Sequence, residues 1–135
     1  MVIKNYLELA RPLNLFQAAL AILVGYALVI DPSPGKLIYI LISVLAITAA
    51  GNAINDYFDF ETDKINKPGR VLPSGKISKK AALIFSIGLF LTSLIFLIPI
   101  FNLYTGSIAI ISIILLAIYT PVLKNIIIIG NVTVS

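Results

Sequence analysis

The chain has 135 residues, of which 59% are hydrophobic and 12% charged, with a mean hydropathy of +1.04 and a net charge of +4. A soluble domain carries about 25% charged residues, so this composition excludes an ordinary soluble domain and points to a multi-pass membrane protein. Cys and His are both absent, which excludes disulfides, thiolate nucleophiles, imidazole acid–base catalysis and nitrogen- or sulfur-ligated metals. An ion could be held only by oxygen, and that favours a hard cation such as Mg²⁺.

Residues 1–11 are too short to span a bilayer. Ile3, Leu7 and Ala10 fall on one side at helical spacing and Lys4, Glu8 and Arg11 on another, which predicts a short interfacial helix. Pro12 to Ile30 is the first predicted span, with Pro12 tolerated at a helix start. The run from Asp31 to Gly35 is a turn, and Lys36 to about Asp56 is the second span, with the helix free to continue to about Asp63. Lys64 to Ile77 is a loop punctuated by Lys67-Pro68-Gly69 and Pro73-Ser74-Gly75. Ser78 is placed to cap a third span over Lys79 to Phe101. Asn102 to Gly106 turns the chain, and a fourth span runs from about Leu103 to Leu123. Ile126 opens another apolar block that the chain leaves after ten residues, too few to cross as a helix. The expectation is one all-α transmembrane domain over residues 1–135, cut off after the start of a fifth span.

Basic residues set the orientation. With a cytoplasmic N-terminus, Lys4, Arg11, Lys124 and the six basic residues between Lys64 and Lys80 share the cytoplasmic side, and Lys36 alone lies opposite. The positive charge is therefore an orientation signal for a cell-membrane protein, and no nucleic-acid partner is expected.

The chemistry is concentrated between Asn52 and Lys80. Four of the six acidic residues lie between Asp56 and Asp63. At about 100° per residue, Asn52, Asp56, Asp59 and Asp63 fall within an arc of roughly 60°, with Asn55 beside them and Glu61 on the far side. Three carboxylates stacked over two turns repel one another, and desolvation near a membrane adds to the cost, so positive charge is required there. A divalent ion supplies it while leaving coordination sites for phosphate oxygens. The plainer alternative is a solvated helix end whose Asp residues pair with Lys64, Lys67 or Arg70. The in-phase spacing favours the metal. Arg70, set between two stiff turns, is suited to grip a phosphate through both edges of its fork, with Lys67 and Lys76 as point charges. Lys79 and Lys80, opening a helix, are expected to snorkel to headgroups. Asn14 and Gln17 on the first span, Tyr119 and Lys124 at the end of the fourth, and Asn131 beyond a glycine face the same end, and are candidates for substrate contact or for hydrogen bonding between helices.

Asn55-Asp56-Tyr57-Phe58-Asp59-Phe60-Glu61-Thr62-Asp63 fits the pattern N-D-x-x-D-x-x-x-D, and the basic run Lys64 to Gly75 continues it. With Arg11-Pro12-Leu13-Asn14, Tyr119, Lys124 and Gly130-Asn131, the chain resembles the UbiA superfamily of intramembrane prenyltransferases, and within it the archaeal ether-lipid branch. The resemblance implies the N-terminal half of a nine-helix bundle in which two Asp-rich motifs hold Mg²⁺ and the diphosphate of a prenyl donor. It makes Asp56, Asp59 and Asp63 catalytic metal ligands, and Asn52, Asn55, Lys67, Arg70 and Lys124 diphosphate contacts. The implied reaction moves a prenyl group, geranylgeranyl in that branch, to the hydroxyl of a lipid acceptor. An aromatic acceptor, as in quinone or haem prenylation, is the alternative within the family. A non-enzymatic cation-binding or transport module is the alternative outside it. No second Asp-rich motif is present, because no Asp or Glu follows Asp63. The implied partners are thus a prenyl diphosphate, an acceptor, membrane lipids and a C-terminal half, and the 135 residues alone are expected to be inactive.

Overall fold

The computed structural model describes residues 2–28 and 33–118. Every regular element among them is helical. Helix α1 covers Val2–Ala10 and α2 Pro12–Ala27, two helices that meet at a 54° bend. Helix α3 spans Pro34–Phe58, α4 Phe60–Asn66, α5 Lys79–Leu97 and α6 Leu103–Ile118, with a single 3₁₀ turn at Ile98–Ile100 between the last two. Two helices, α3 and the run from Lys79 to Ile100, are long and apolar enough to cross a membrane, and the bent α1–α2 pair is a third if it acts as one span.

Local chemistry explains most boundaries. Proline takes the first turn of α2 and of α3, where its missing N–H is not needed. Helix α3 therefore begins at Pro34, two residues before the predicted start, and the predicted turn loses its last two residues to the helix. Ser78 caps α5 as expected, accepting a bond from the Ala81 N–H at 3.1 Å. The α5 ladder gives way to the 3₁₀ turn around Pro99, which has no N–H to contribute. Helix α6 opens at Leu103, so the predicted turn Asn102–Gly106 is helical from its second residue, and Gly106 in that first turn lies close against Phe101, whose ring a Cβ there would strike.

Helices α3 and α5 share the most extensive interface. It is made close by small side chains: Ala46, Ala49, Ala50 and Ala53 on α3 and Ala82 and Ser86 on α5 are buried. Ser86 donates to the Ala50 carbonyl at 3.0 Å and Ser43 to the Ser93 carbonyl at 3.0 Å. In a lipid environment close backbone approach and such bonds replace the hydrophobic effect as the source of helix association. The outward faces of α2, α5 and α6 carry exposed Leu, Ile, Val and Phe, as lipid-facing surfaces do.

A second core lies at the C-terminal end of α3. Leu9 of α1, Ala53 of α3, Ala82 of α5 and Val71, Leu72 and Ile77 of the α4–α5 loop pack together, with Tyr6, Phe60 and Phe85 against them. Helix α1 thus clamps the loop onto the bundle, helped by Asn5, which donates to the Lys76 carbonyl at 3.4 Å. The loop is a set of packed turns rather than a free strap, and it closes through Gly75 at φ +75°, a conformation glycine adopts without strain.

Candidate functional site: a carboxylate pair held by two arginines

Helix α3 reaches the acidic motif and opens at Asp59, whose φ and ψ of −77° and 1° lie outside the helical well. The backbone ladder nevertheless runs through the opening. The Asp59 N–H donates to the Asn55 carbonyl at 2.9 Å, the Asp63 N–H to Asp59 at 2.7 Å and the Lys67 N–H to Asp63 at 2.8 Å. The helical phase therefore survives the break, and Asp56 and Asp63 lie on one face. Both are buried, at 6% and 4% exposure. Asp59 is half-buried between them, while Glu61 points away and pairs with Lys64 at 3.2 Å.

Two guanidinium groups answer the buried charge. Arg70 Nη1 lies 2.5 Å from Asp63 Oδ2 and 3.4 Å from Asp56 Oδ1, so one nitrogen bridges the two carboxylates. Arg11 donates through Nη2 to the same Asp56 oxygen. Arg70 is held by the turns that precede α5, its own N–H bonded to the Lys67 carbonyl at 3.1 Å and its carbonyl accepting from Ser74 at 2.9 Å. Arg11 sits at the α1–α2 corner with φ +57°, the one non-glycine residue of positive φ among those described.

The carboxamides tie the same corner to α3. Asn14 donates to the Asn52 Oδ1 at 3.0 Å, and Asn52 donates in turn to the Ala10 carbonyl at 2.8 Å, a group at the end of α1. Asn52 is thus engaged with α1 and α2 on both amide atoms. Asn55 is half-buried next to Asp56, whereas Gln17 and Lys67 are exposed and lie outside the cluster. Tyr119, Lys124 and Asn131, together with the end of the expected fourth span and the start of the fifth, lie outside the described residues.

Sequence reasoning weighed a metal stripe against ion pairing at a solvated helix end. The geometry takes something from each: Arg70 does pair with two of the aspartates, but the carboxylates are buried rather than solvated. Among the described residues no three acidic side chains converge as a ready-made metal cradle. The donor set still fits a hard divalent ion. Asp56 and Asp63 already present oxygens to one shared cationic nitrogen, and their charge requires a cation wherever it comes from. Lys79 lies over the Tyr57 and Phe60 rings at 4.7 and 5.3 Å, with Lys64 4.3 Å from the Phe60 ring. The ring quadrupoles attract the ammonium, and the contact ties the start of α5 to the break in α3. In the sequence Arg11 stands out as a topology charge and as part of the Arg11-Pro12-Leu13-Asn14 run, with no role in the acidic site. Its place beside a helix-breaking proline, on the same membrane face as the acidic motif, was the available signal.

An apolar cavity of about 270 Å³ lies between α3, α5 and α6, lined by Ile40, Val44, Ile47, Leu97 and Ile108 among others. At 1.5 Å per residue its nearest α3 residue, Ile47, is roughly 14 Å along the helix from Asp56. Its lining is mostly apolar, and it lies apart from the charged site.

The family of UbiA prenyltransferases matches residues 15–135. Digeranylgeranylglyceryl phosphate synthase of Methanococcoides burtonii is 42% identical over 146 aligned positions, covering 98% of this chain and 50% of the relative. The enzyme of the same name from Sulfurisphaera tokodaii is 40% identical, covering all of this chain and 49% of its own length. A solved structure described as giving insights into digeranylgeranylglyceryl phosphate synthase in membranes superposes with a TM-score of 0.85 at 37% identity, over 91% of this chain and 44% of that one. The chain spans about half the length of the curated relatives it matches.

Proposed function

The chain belongs to the UbiA prenyltransferase family, and from that premise we propose that it supplies half of an intramembrane prenyltransferase of archaeal ether-lipid synthesis. The observation that carries this reading is the buried pair Asp56 and Asp63, bridged by Arg70 at one end of a membrane helix. The substrate pair is an allylic diphosphate, geranylgeranyl diphosphate for preference, and the hydroxyl of a geranylgeranylglyceryl phosphate. Relatives of 37% to 42% identity that bear the synthase name support this choice over an aromatic acceptor.

Asp56, Asp59 and Asp63 would hold Mg²⁺, which when bound offsets charge on the leaving diphosphate. Arg70, its Nη1 kept on the carboxylates, offers the rest of its fork to the diphosphate oxygens, and the exposed Lys67 adds a charge from the loop. Lys124 is proposed as a further contact. Charge placed where it develops lowers the barrier as the C1–O bond breaks and its electron pair leaves with the diphosphate. The acceptor oxygen then bonds to C1, and its proton passes to the released diphosphate or to water. The walls of α3, α5 and α6 keep water away from the electron-poor carbon, and their apolar cavity accommodates the isoprenoid tail. A further segment comparable in length to this one, carrying the second acidic motif, is proposed to complete the site.

The test is a membrane assay of the full-length protein with radiolabelled geranylgeranyl diphosphate. Asp56→Asn and Asp63→Asn are each expected to lower turnover by at least a hundredfold and to abolish its dependence on added Mg²⁺. Near-normal turnover at saturating donor would remove the carboxylates from the mechanism. Mg²⁺ binding indifferent to diphosphate would favour a non-catalytic cation module instead.

A further inference from the structure

Arg11 and Arg70 do not make equivalent contacts. Arg70 reaches both buried carboxylates, and its backbone is fixed by the packed turns before α5. Among the described residues Arg11 pairs with Asp56 alone, on the same oxygen that Arg70 already approaches. It does so from a corner where the chain breaks: α1 has ended, Pro12 offers no N–H, and the residue itself is held at φ +57°. A side chain with a β-carbon resists that conformation, and residues kept in it by their surroundings cluster at switching and ligand-clamping positions. The Arg11 and Arg70 side chains are both 29% exposed while that of Asp56 is 8% exposed, so the guanidinium groups stand nearer the mouth of the site than the carboxylate; what sets Arg11 apart is its single contact and its corner backbone. An arginine fork also matches phosphate oxygens as well as it matches a carboxylate.

Resting on the prenyltransferase reading above, we propose that Arg11 is an exchangeable internal counter-ion. It occupies Asp56 while the site is without donor, then passes its guanidinium to the incoming diphosphate and yields the carboxylate to the divalent ion. The exchange keeps the buried carboxylate paired with a cation in both states, avoiding the cost of an uncompensated buried charge. It also couples the two ligands, since the anion draws off the group that competes with the metal. The 54° corner supplies the pivot, and Asn14 and Asn52 hold the helices on either side while the side chain moves.

Arg11→Gly separates the guanidinium from the backbone, because glycine adopts φ +57° at no steric cost and should keep the corner intact. The measurement is equilibrium binding of Mn²⁺, followed by electron paramagnetic resonance, and of inorganic diphosphate, followed by calorimetry, on full-length protein in nanodiscs. In R11G, Mn²⁺ without diphosphate is expected to bind on the order of tenfold more tightly, and diphosphate on the order of tenfold more weakly, the scale of one charge-assisted hydrogen bond. R11K keeps the charge and the strained backbone but loses the fork. It is expected to hold Mn²⁺ as the wild type does and to lose affinity for diphosphate, which also covers the case of an R11G protein that fails to fold. Affinities that fall together, or that stay unchanged in both variants, would overturn the exchange while leaving the family-level reading standing. Wild-type protein that binds neither probe would overturn both.

Discussion

Arg70 shows how much of this site depends on single side chains. Its Nη1 is the one nitrogen that touches both Asp56 and Asp63. Truncation to alanine would strip Asp63 of its guanidinium partner and leave Asp56 with Arg11 alone. Removing one partner of a buried ion pair costs roughly 3–5 kcal/mol, because a buried charge is left behind. Arg70 is 29% exposed, so water recovers part of that, and the low end of the range is expected. Thermal unfolding in detergent should therefore show R70A clearly less stable than wild type. R70K should fall between them, since an ammonium supplies charge without the fork. A midpoint for R70A equal to wild type would mean that water already solvates the carboxylates. The acidic side of this site was legible beforehand, because spacings of four, three and four fix a common helical face whatever the tertiary fold. Arg70 was legible from the turns that flank it. Arg11 and Lys79 were not, because their roles depend on a backbone twist at residue 11 and on two aromatic rings brought up by α3 and α4, neither of which leaves a periodic trace.

At the scale of elements, the α3–α5 pair fixes where the motif sits. The interface depends on small side chains more than on its serine hydroxyls. Interhelical hydrogen bonds in membranes average about 0.6 kcal/mol, whereas forcing extra methylenes into a close-packed contact costs typically 1–3 kcal/mol. Ser86→Ala, which removes one bond to the Ala50 carbonyl, should thus lower stability only slightly. Ala50→Leu, at a position with 0% exposure, should lower it several times more and shift the phase of α3 at Asp56. Unfolding in mixed micelles ranks the two, and the reverse order would mean that hydroxyl bonding, not close approach, holds the pair. Apolar block lengths, Pro12 and Ser78 made these helices readable in the sequence to within a few residues. The opening at Asp59 was not readable, because no Gly or Pro marks it. It coincides with the Lys79 contact to Tyr57 and Phe60, which only the packed fold creates.

For the whole molecule, the open matter is which side of the membrane holds the charged end. Lys4, Arg11 and the six basic residues from Lys64 to Lys80 share the end of the bundle where α3 finishes and α5 begins, and Lys36 lies at the other. The translocation machinery retains such basic clusters on the cytoplasmic side, and short loops obey this bias most strongly. The chain contains no cysteine, so single cysteines introduced into it, with any in a further segment replaced by serine, report their own position. Ser74 is exposed in the α4–α5 loop, and Gly35, at the opposite end of α3, has open space where a side chain would go. An impermeant maleimide added to right-side-out cells should label Gly35→Cys and spare Ser74→Cys, and inverted vesicles should give the opposite result. The orientation matters for chemistry as well as topology. A diphosphate is too strongly charged to cross the hydrocarbon layer unaided, so the proposed donor would have to reach Asp56, Asp63 and their arginines from the compartment in which it is made. Ser74→Cys labelled from outside would place the carboxylate pair on the face that a soluble diphosphate made inside the cell does not reach, and the donor would then have to be something other than a cytoplasmic prenyl diphosphate.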